Sequence, residues 1–282
     1  MLRRQRTGSV LCPSCGKLVG VSDPQCLYCG RRNPGMWGLS STLARLGRDM
    51  GFVETVIGGC GILYLAMLAA GGIQPGGGLF SLGSPTGEAL VRFGASGAIP
   101  VFTLGRWWTV LSAGWLHGSL LHIAFNLYWI RFLAPAVAEL YGPSRMVIVY
   151  TISSIAGFLL SSLTGAYLGG LLGGAQITVG ASAPILGLLG ALVYYGRRTG
   201  SRHVGAQAWS YALFMILFGF LMSRVDNWAH IGGFAGGYLA GLLLDPARPE
   251  RGNHVAGAIL CLALTAGAIV ASLVDTRFYS FL

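Results

Sequence analysis

The sequence predicts an all-α protein that crosses a membrane several times, preceded by a small metal-binding module. Three observations carry this. Charged residues are 10% of the 282-residue chain, where a soluble domain holds about 25%. Apolar runs near the ~20 residues needed to cross a bilayer recur along the chain from Phe52 onward. The chain also holds 45 glycines, and small residues let membrane helices pack closely.

At the start, Met1-Leu2-Arg3-Arg4-Gln5-Arg6 runs directly into a cysteine cluster, so no secretory signal is expected. Cys12-Pro13-Ser14-Cys15 and Cys26-Leu27-Tyr28-Cys29 form two C-x-x-C knuckles, each followed by a glycine, Gly16 or Gly30, that permits the tight turn beneath a metal. Four thiolates so spaced suit tetrahedral zinc. Disulfides would need an oxidising compartment, and iron can use the same ligand set. The expectation is a zinc-ribbon-like module over 1–35, with a structural zinc on Cys12, Cys15, Cys26 and Cys29, and a cytosolic protein as its candidate partner. Cys60 and Cys261 sit singly in apolar runs and read as small core residues. A linker, 36–51, carries Arg45 and Arg48 up to the membrane.

Hydropathy then predicts seven spans, at about 52–73, 118–138, 146–167, 182–196, 206–222, 227–244 and 254–274. With a cytosolic N-terminus, 15 of the 19 Lys and Arg residues fall on inner segments and only Arg92, Arg106, Arg224 and Arg277 on outer ones. Cytosolic loops carry such an excess, which places the cysteine cluster where thiols stay reduced. The net charge of +10 is therefore a topology signal, and no nucleic acid partner is expected. The first outer loop, about 74–117, holds Trp107, Trp108 and Trp115 and suits a segment lying at the lipid interface.

In this topology three spans begin on the outer side with unusual polar residues. The second opens with His117-Gly118-Ser119 and carries His122 and Asn126, four apart and hence on one helix face. The fourth opens at Ser182 and the sixth near His230. Ionisable groups inside a membrane are costly enough to point to function. One level thus holds the parts for acyl transfer: Ser182 as nucleophile, His230 as base and then acid, and His122 with Asn126 as donors to an oxyanion. Ser182 starts its helix, where free N–H groups favour an anion, and Pro184 fits the first turn. Asp226 could orient His230, but its place just ahead of the sixth helix suits an N-cap better. Gly187, Gly190 and Ala191 on one helix, and Gly232, Gly233, Gly236, Gly237 and Ala240 on the other, would allow close contact.

These residues resemble the rhomboid intramembrane serine proteases over roughly 52–245. The resemblance rests on His117-x4-His122-x3-Asn126, Gly180-Ala181-Ser182, Ala229-His230-x2-Gly233, and Glu139-Leu140-Tyr141-Gly142. It implies a six-helix core with a Ser182–His230 dyad, an oxyanion hole from the Ser182 N–H, His122 and Asn126, and supporting roles for His117, Gly180 and Gly233. It also implies substrates that are transmembrane helices, catalysis without a cofactor, and an extra C-terminal helix in 246–282. The expected setting is a bacterial inner membrane with the site near its outer face. Three positions depart from the family pattern: Thr109 follows Trp108 where an arginine is usual, Ala183 replaces the glycine after the serine, and Leu186 stands where an aromatic is usual. A second class, an inactive membrane adaptor binding transmembrane helices, would share the fold and differ in the reactivity of Ser182. A transporter would want its polar groups near the bilayer midplane.

Overall fold

The computed structural model describes residues 4–40, 49–75, 78–168, 173–222, 225–275 and 277. Arg3, Arg45, Arg48 and Arg224 lie outside the described residues, as do positions 169–172.

The chain opens with an antiparallel hairpin, β1 (Ser9–Leu11) and β2 (Leu18–Gly20). The first cysteine knuckle forms its tip, and the second repeats the same local geometry. The Gly16 N–H donates to the Cys12 carbonyl at 2.8 Å and the Gly30 N–H to the Cys26 carbonyl at 2.9 Å. Both glycines sit at left-handed φ, 68° and 73°, which other residues adopt only at a cost. The Gln5 N–H donates to the Gly38 carbonyl at 2.8 Å, so the chain folds back onto the module slightly beyond the expected boundary at 35.

Nine α-helices follow among the described residues: α1 (Phe52–Gly71), α2 (Gly87–Phe93), α3 (Thr109–Ser112), α4 (Leu120–Tyr141), α5 (Pro143–Tyr167), α6 (Ser182–Thr199), α7 (Arg202–Leu221), α8 (Asn227–Leu243) and α9 (Gly252–Val274). The protein is a multi-pass membrane protein, and α1, α4, α5, α7 and α9 are each long and apolar enough to cross a bilayer. Sequence hydropathy predicted seven spans; the remaining two, α6 and α8, have only 18 and 17 residues. Arg197 and Arg198 end α6, and glycine dilutes the apolar character of α8. Both are central: α6 is buried continuously from Ala183 to Leu192, and α8 packs chiefly on α6 and α5.

Glycine sets that central contact. A Cβ at Gly237 would lie 1.9 Å from the Gly187 carbonyl oxygen, and one at Gly233 would lie 2.1 Å from that of Ala183. The backbones of α6 and α8 therefore touch, which is the small-residue packing expected from the sequence. Elsewhere the apolar core is conventional; Trp115 packs against Gly59 of α1, where a Cβ would meet its ring at 2.8 Å.

The cysteine module is seated on the end of the bundle where α5 begins. Arg31 faces Glu250 at 3.5 Å with both side chains buried, and Ser14 Oγ donates to the Glu250 carbonyl at 3.0 Å. The Glu250 carboxylate accepts from the N–H groups of Ser144 at 2.7 Å and Arg145 at 3.1 Å. It thus serves as the cap of α5, whose first residue, Pro143, has no N–H to satisfy.

Candidate active site

Two of the three helices that carry candidate residues, α4 and α8, are started by a side-chain cap. Ser119 Oγ accepts from the His122 N–H at 3.2 Å and opens α4. Asp226 Oδ1 accepts from the Ala229 N–H at 3.0 Å and opens α8 just ahead of His230. Its other oxygen accepts from Ser161 Oγ of α5. Such caps are worth about 1 kcal/mol each, and here they also fix where a functional side chain enters the bundle. Ser182 is the first residue of α6, so its own N–H has no intrahelical partner.

The close contact of α6 with α8 brings Ser182 Oγ to 2.9 Å from His230 Nε2. His230 is buried and Ser182 half-buried. Among the described residues nothing hydrogen bonds to His230 Nδ1; Asp226, occupied as a cap, is not its orienting acid. Serine and histidine therefore stand as a pair.

His122 occupies the other side of the serine. The Gly118 N–H is directed at its Nδ1 at 3.4 Å, which leaves the proton on Nε2. That nitrogen lies over Gly180: a Cβ there would be 2.6 Å from His122 Nε2 and 3.7 Å from Ser182 Oγ. Gly180 also has a φ of 132°. Asn126, one turn further along α4 and 1% exposed, donates from Nδ2 to the His122 carbonyl at 3.0 Å, leaving its second N–H available. His117 is fully buried with its ring edge-on to that of His122, centroids 5.2 Å apart. Ser182, His230, His122 and Gly180 thus meet in one place, Gly233 packs on the Ala183 backbone next to the serine, and Asn126 and His117 both touch His122.

The three departures are accommodated in different ways. Ala183 is 1% exposed in a cluster with Ala113, Phe158 and Ala229, and a Cβ on Gly157 would come within 2.9 Å of its own, so the site demands a small residue. Leu186 is fully buried in the main apolar core. Thr109 is buried too, its hydroxyl donating to the Arg106 carbonyl at 2.8 Å. Sequence reasoning counted Arg106 as an outer-loop charge, whereas the structure buries it completely.

A second cluster lies far from this one. The four thiol sulfurs of Cys12, Cys15, Cys26 and Cys29 all fall within 4.8 Å of one another. Cys12 and Cys29 are 3.7 Å apart, as are Cys15 and Cys26. These are not disulfide distances; ~3.8 Å is the edge of a tetrahedron with metal–sulfur bonds of about 2.3 Å. Burial pushes the Cys29 thiol up to about 12, and its contacts with Cys15, Cys26 and Cys12 add to that. Four thiolates so crowded need a cation to offset their charge, and this cluster could hold a metal ion.

A family model described as the rhomboid domain matches residues 104–246, which include every candidate active-site residue. The chain is 33% identical over 189 residues to the rhomboid protease GluP of Bacillus subtilis (strain 168), an alignment covering 66% of this chain and 35% of that protein. It is 33% identical over 153 residues to RHOMBOID-like protein 5 of Arabidopsis thaliana, covering 52% of this chain and 47% of the relative. RHOMBOID-like protein 2 of the same plant is 33% identical over 172 residues, covering 60% and 51%. The chain thus spans about a third to a half of the length of these relatives.

Proposed function

The chain belongs to the rhomboid family, and from that premise we propose that it is an intramembrane serine endopeptidase with Ser182 and His230 as its catalytic dyad. The observation that carries this reading is the 2.9 Å approach of Ser182 Oγ to His230 Nε2 inside a helical bundle. In the proposed reaction Ser182 Oγ adds to the carbonyl carbon of the scissile peptide while His230 Nε2 takes its proton. The tetrahedral oxyanion is received by the Ser182 N–H, His122 Nε2–H and the free N–H of Asn126. His230 then protonates the leaving amine. Water, deprotonated by the same imidazole, cleaves the acyl-serine ester and restores the dyad.

The proposed substrates are transmembrane segments of other membrane proteins. A segment must leave its helix locally before it can be cut, because a hydrogen-bonded helix in lipid has its carbonyls engaged. We place substrate entry beside α7, of whose span 22% is buried, the same share as α9 and well below the 61% of α5. We place the N-terminus in the cytosol of a bacterial cell and the dyad toward the outer face of its inner membrane, which the distribution of arginines supports. Zinc is our assignment for the four cysteines, on the sulfur spacing and an all-thiolate ligand set.

The test is cleavage of a transmembrane model substrate by the purified full chain in liposomes. Wild type should cut it, and Ser182→Ala and His230→Ala should not. Equal cutting by Ser182→Ala and wild type would remove the assignment.

A further inference from the structure

Arg106 is the most deeply buried charge of the outer loop, and two of its three partners come from the other end of the sequence. Nη1 donates to the Val91 carbonyl in α2 at 2.6 Å. Nη2 donates to the Ser272 carbonyl at the outer end of α9 at 2.8 Å. Nε stands 3.2 Å from Asp275 Oδ2, an ion pair set off hydrogen-bond alignment. Two residues on, Trp108 Nε1 donates to Ser272 Oγ at 3.1 Å, and the Arg277 guanidinium lies 5.2 Å above the Trp108 ring. The outer loop is therefore fastened to the last helix by a buried guanidinium fork and an indole.

The same loop holds the segment that leads into Ser182. The Gly180 N–H donates to the Ala113 carbonyl at 3.0 Å, immediately after α3. Ser96 and Thr178 exchange hydrogen bonds at 3.0 and 2.8 Å, and the N–H groups of Ala98 and Ile99 donate to the carbonyls of Ala175 and Gln176, each at 3.1 Å. A continuous path thus runs from Asp275 by an ion pair to the Arg106 side chain, from the Arg106 carbonyl to the Thr109 N–H that opens α3, and from Ala113 to Gly180, two residues before the serine.

We propose that Arg106 and Asp275 are positioning residues of the active site, and that α9 acts as the brace that holds the outer loop, and through it the 175–180 segment, against Ser182 and His122. An arginine one turn before the family's usual position does this by bonding to α9. The expected effect on rate rests on the protease reading; the effect on the backbone does not.

Hydrogen exchange by mass spectrometry on the full chain in detergent, with Asp275→Asn and Arg106→Lys, tests this. Peptides covering 94–99 and 174–181 should exchange at least ~5-fold faster in both variants, because the opening equilibrium of a locally held segment sets its exchange. Peptides within α6 and α8 should keep wild-type exchange. Labelling of Ser182 by a fluorophosphonate should slow about 10-fold, since small displacements at a reacting centre are costly in rate, and for a cleaved substrate kcat should fall with KM unchanged. Wild-type exchange over 174–181 in both variants would overturn the proposal. If Arg106→Lys does not fold, Asp275→Asn, at a partly exposed carboxylate, decides alone. If wild type itself is not labelled, the protease reading fails while the exchange result still decides the brace.

Discussion

Gly180 and His122 are matched by absence and presence: the imidazole Nε2 of His122 occupies the space where any side chain at Gly180 would begin, 2.6 Å from an ideal Cβ. This places a donor beside Ser182 and leaves only glycine for position 180. Gly180→Ala would have to push His122 aside and adopt an L-residue conformation strained at φ 132°. Cleavage should fall by about 10²-fold or more with normal membrane insertion, measured as turnover against the amount of folded protein. Wild-type turnover would show that His122 does not need its place over the glycine.

The oxyanion donors should separate binding from chemistry. His122→Ala and Asn126→Ala each remove a donor aimed at charge that develops only during reaction, so kcat should drop by about 10²–10³ while KM holds. A rise in KM with kcat unchanged would assign these residues to substrate binding instead.

Glycines in this chain should divide sharply by position. Gly237→Ala puts a methyl 1.9 Å from the Gly187 carbonyl, forces α8 from α6 and should cost about 1–3 kcal/mol, lowering the melting temperature and activity together. Gly267→Ala on α9 meets nothing within 4 Å. It should be neutral or stabilising by up to ~1 kcal/mol, since alanine is the better helix former. Thermal melts of the two variants in one detergent compare them directly.

The cysteine cluster should carry one divalent metal per chain, read by elemental analysis of the purified protein. Cys12→Ser and Cys26→Ser should each lose it, and a strong chelator should release it and expose four titratable thiols. The hairpin and the two knuckles should then lose their order, because so small a core depends on its metal. Full metal content in both variants would contradict the assignment of these ligands.

How much of this was legible in the sequence follows from the range of each interaction. Residues placed by helix periodicity or by an adjacent cap, such as His122, Asn126, Asp226 and the glycine faces of α6 and α8, could be read from spacing alone. The two knuckles could be read because their geometry is local. Pairings across the chain were invisible: Arg106 with Ser272 and Asp275, and Arg31 with Glu250, join positions with no periodic relation. A lone arginine between apolar stretches and tryptophans was the only hint that Arg106 is buried. Hydropathy likewise predicted seven equivalent spans, because it cannot tell helices that face lipid from the two short central ones that carry Ser182 and His230.

The proposed function turns on Ser182 being a nucleophile activated by His230. Its most direct measurement is labelling of the full-length protein in native membranes with a fluorophosphonate probe, followed by identification of the modified residue. A single adduct is expected on Ser182, abolished in Ser182→Ala and strongly reduced in His230→Ala. An unlabelled wild-type protein that is folded and membrane-inserted would contradict it, and would leave the chain as a helix-binding member of its family.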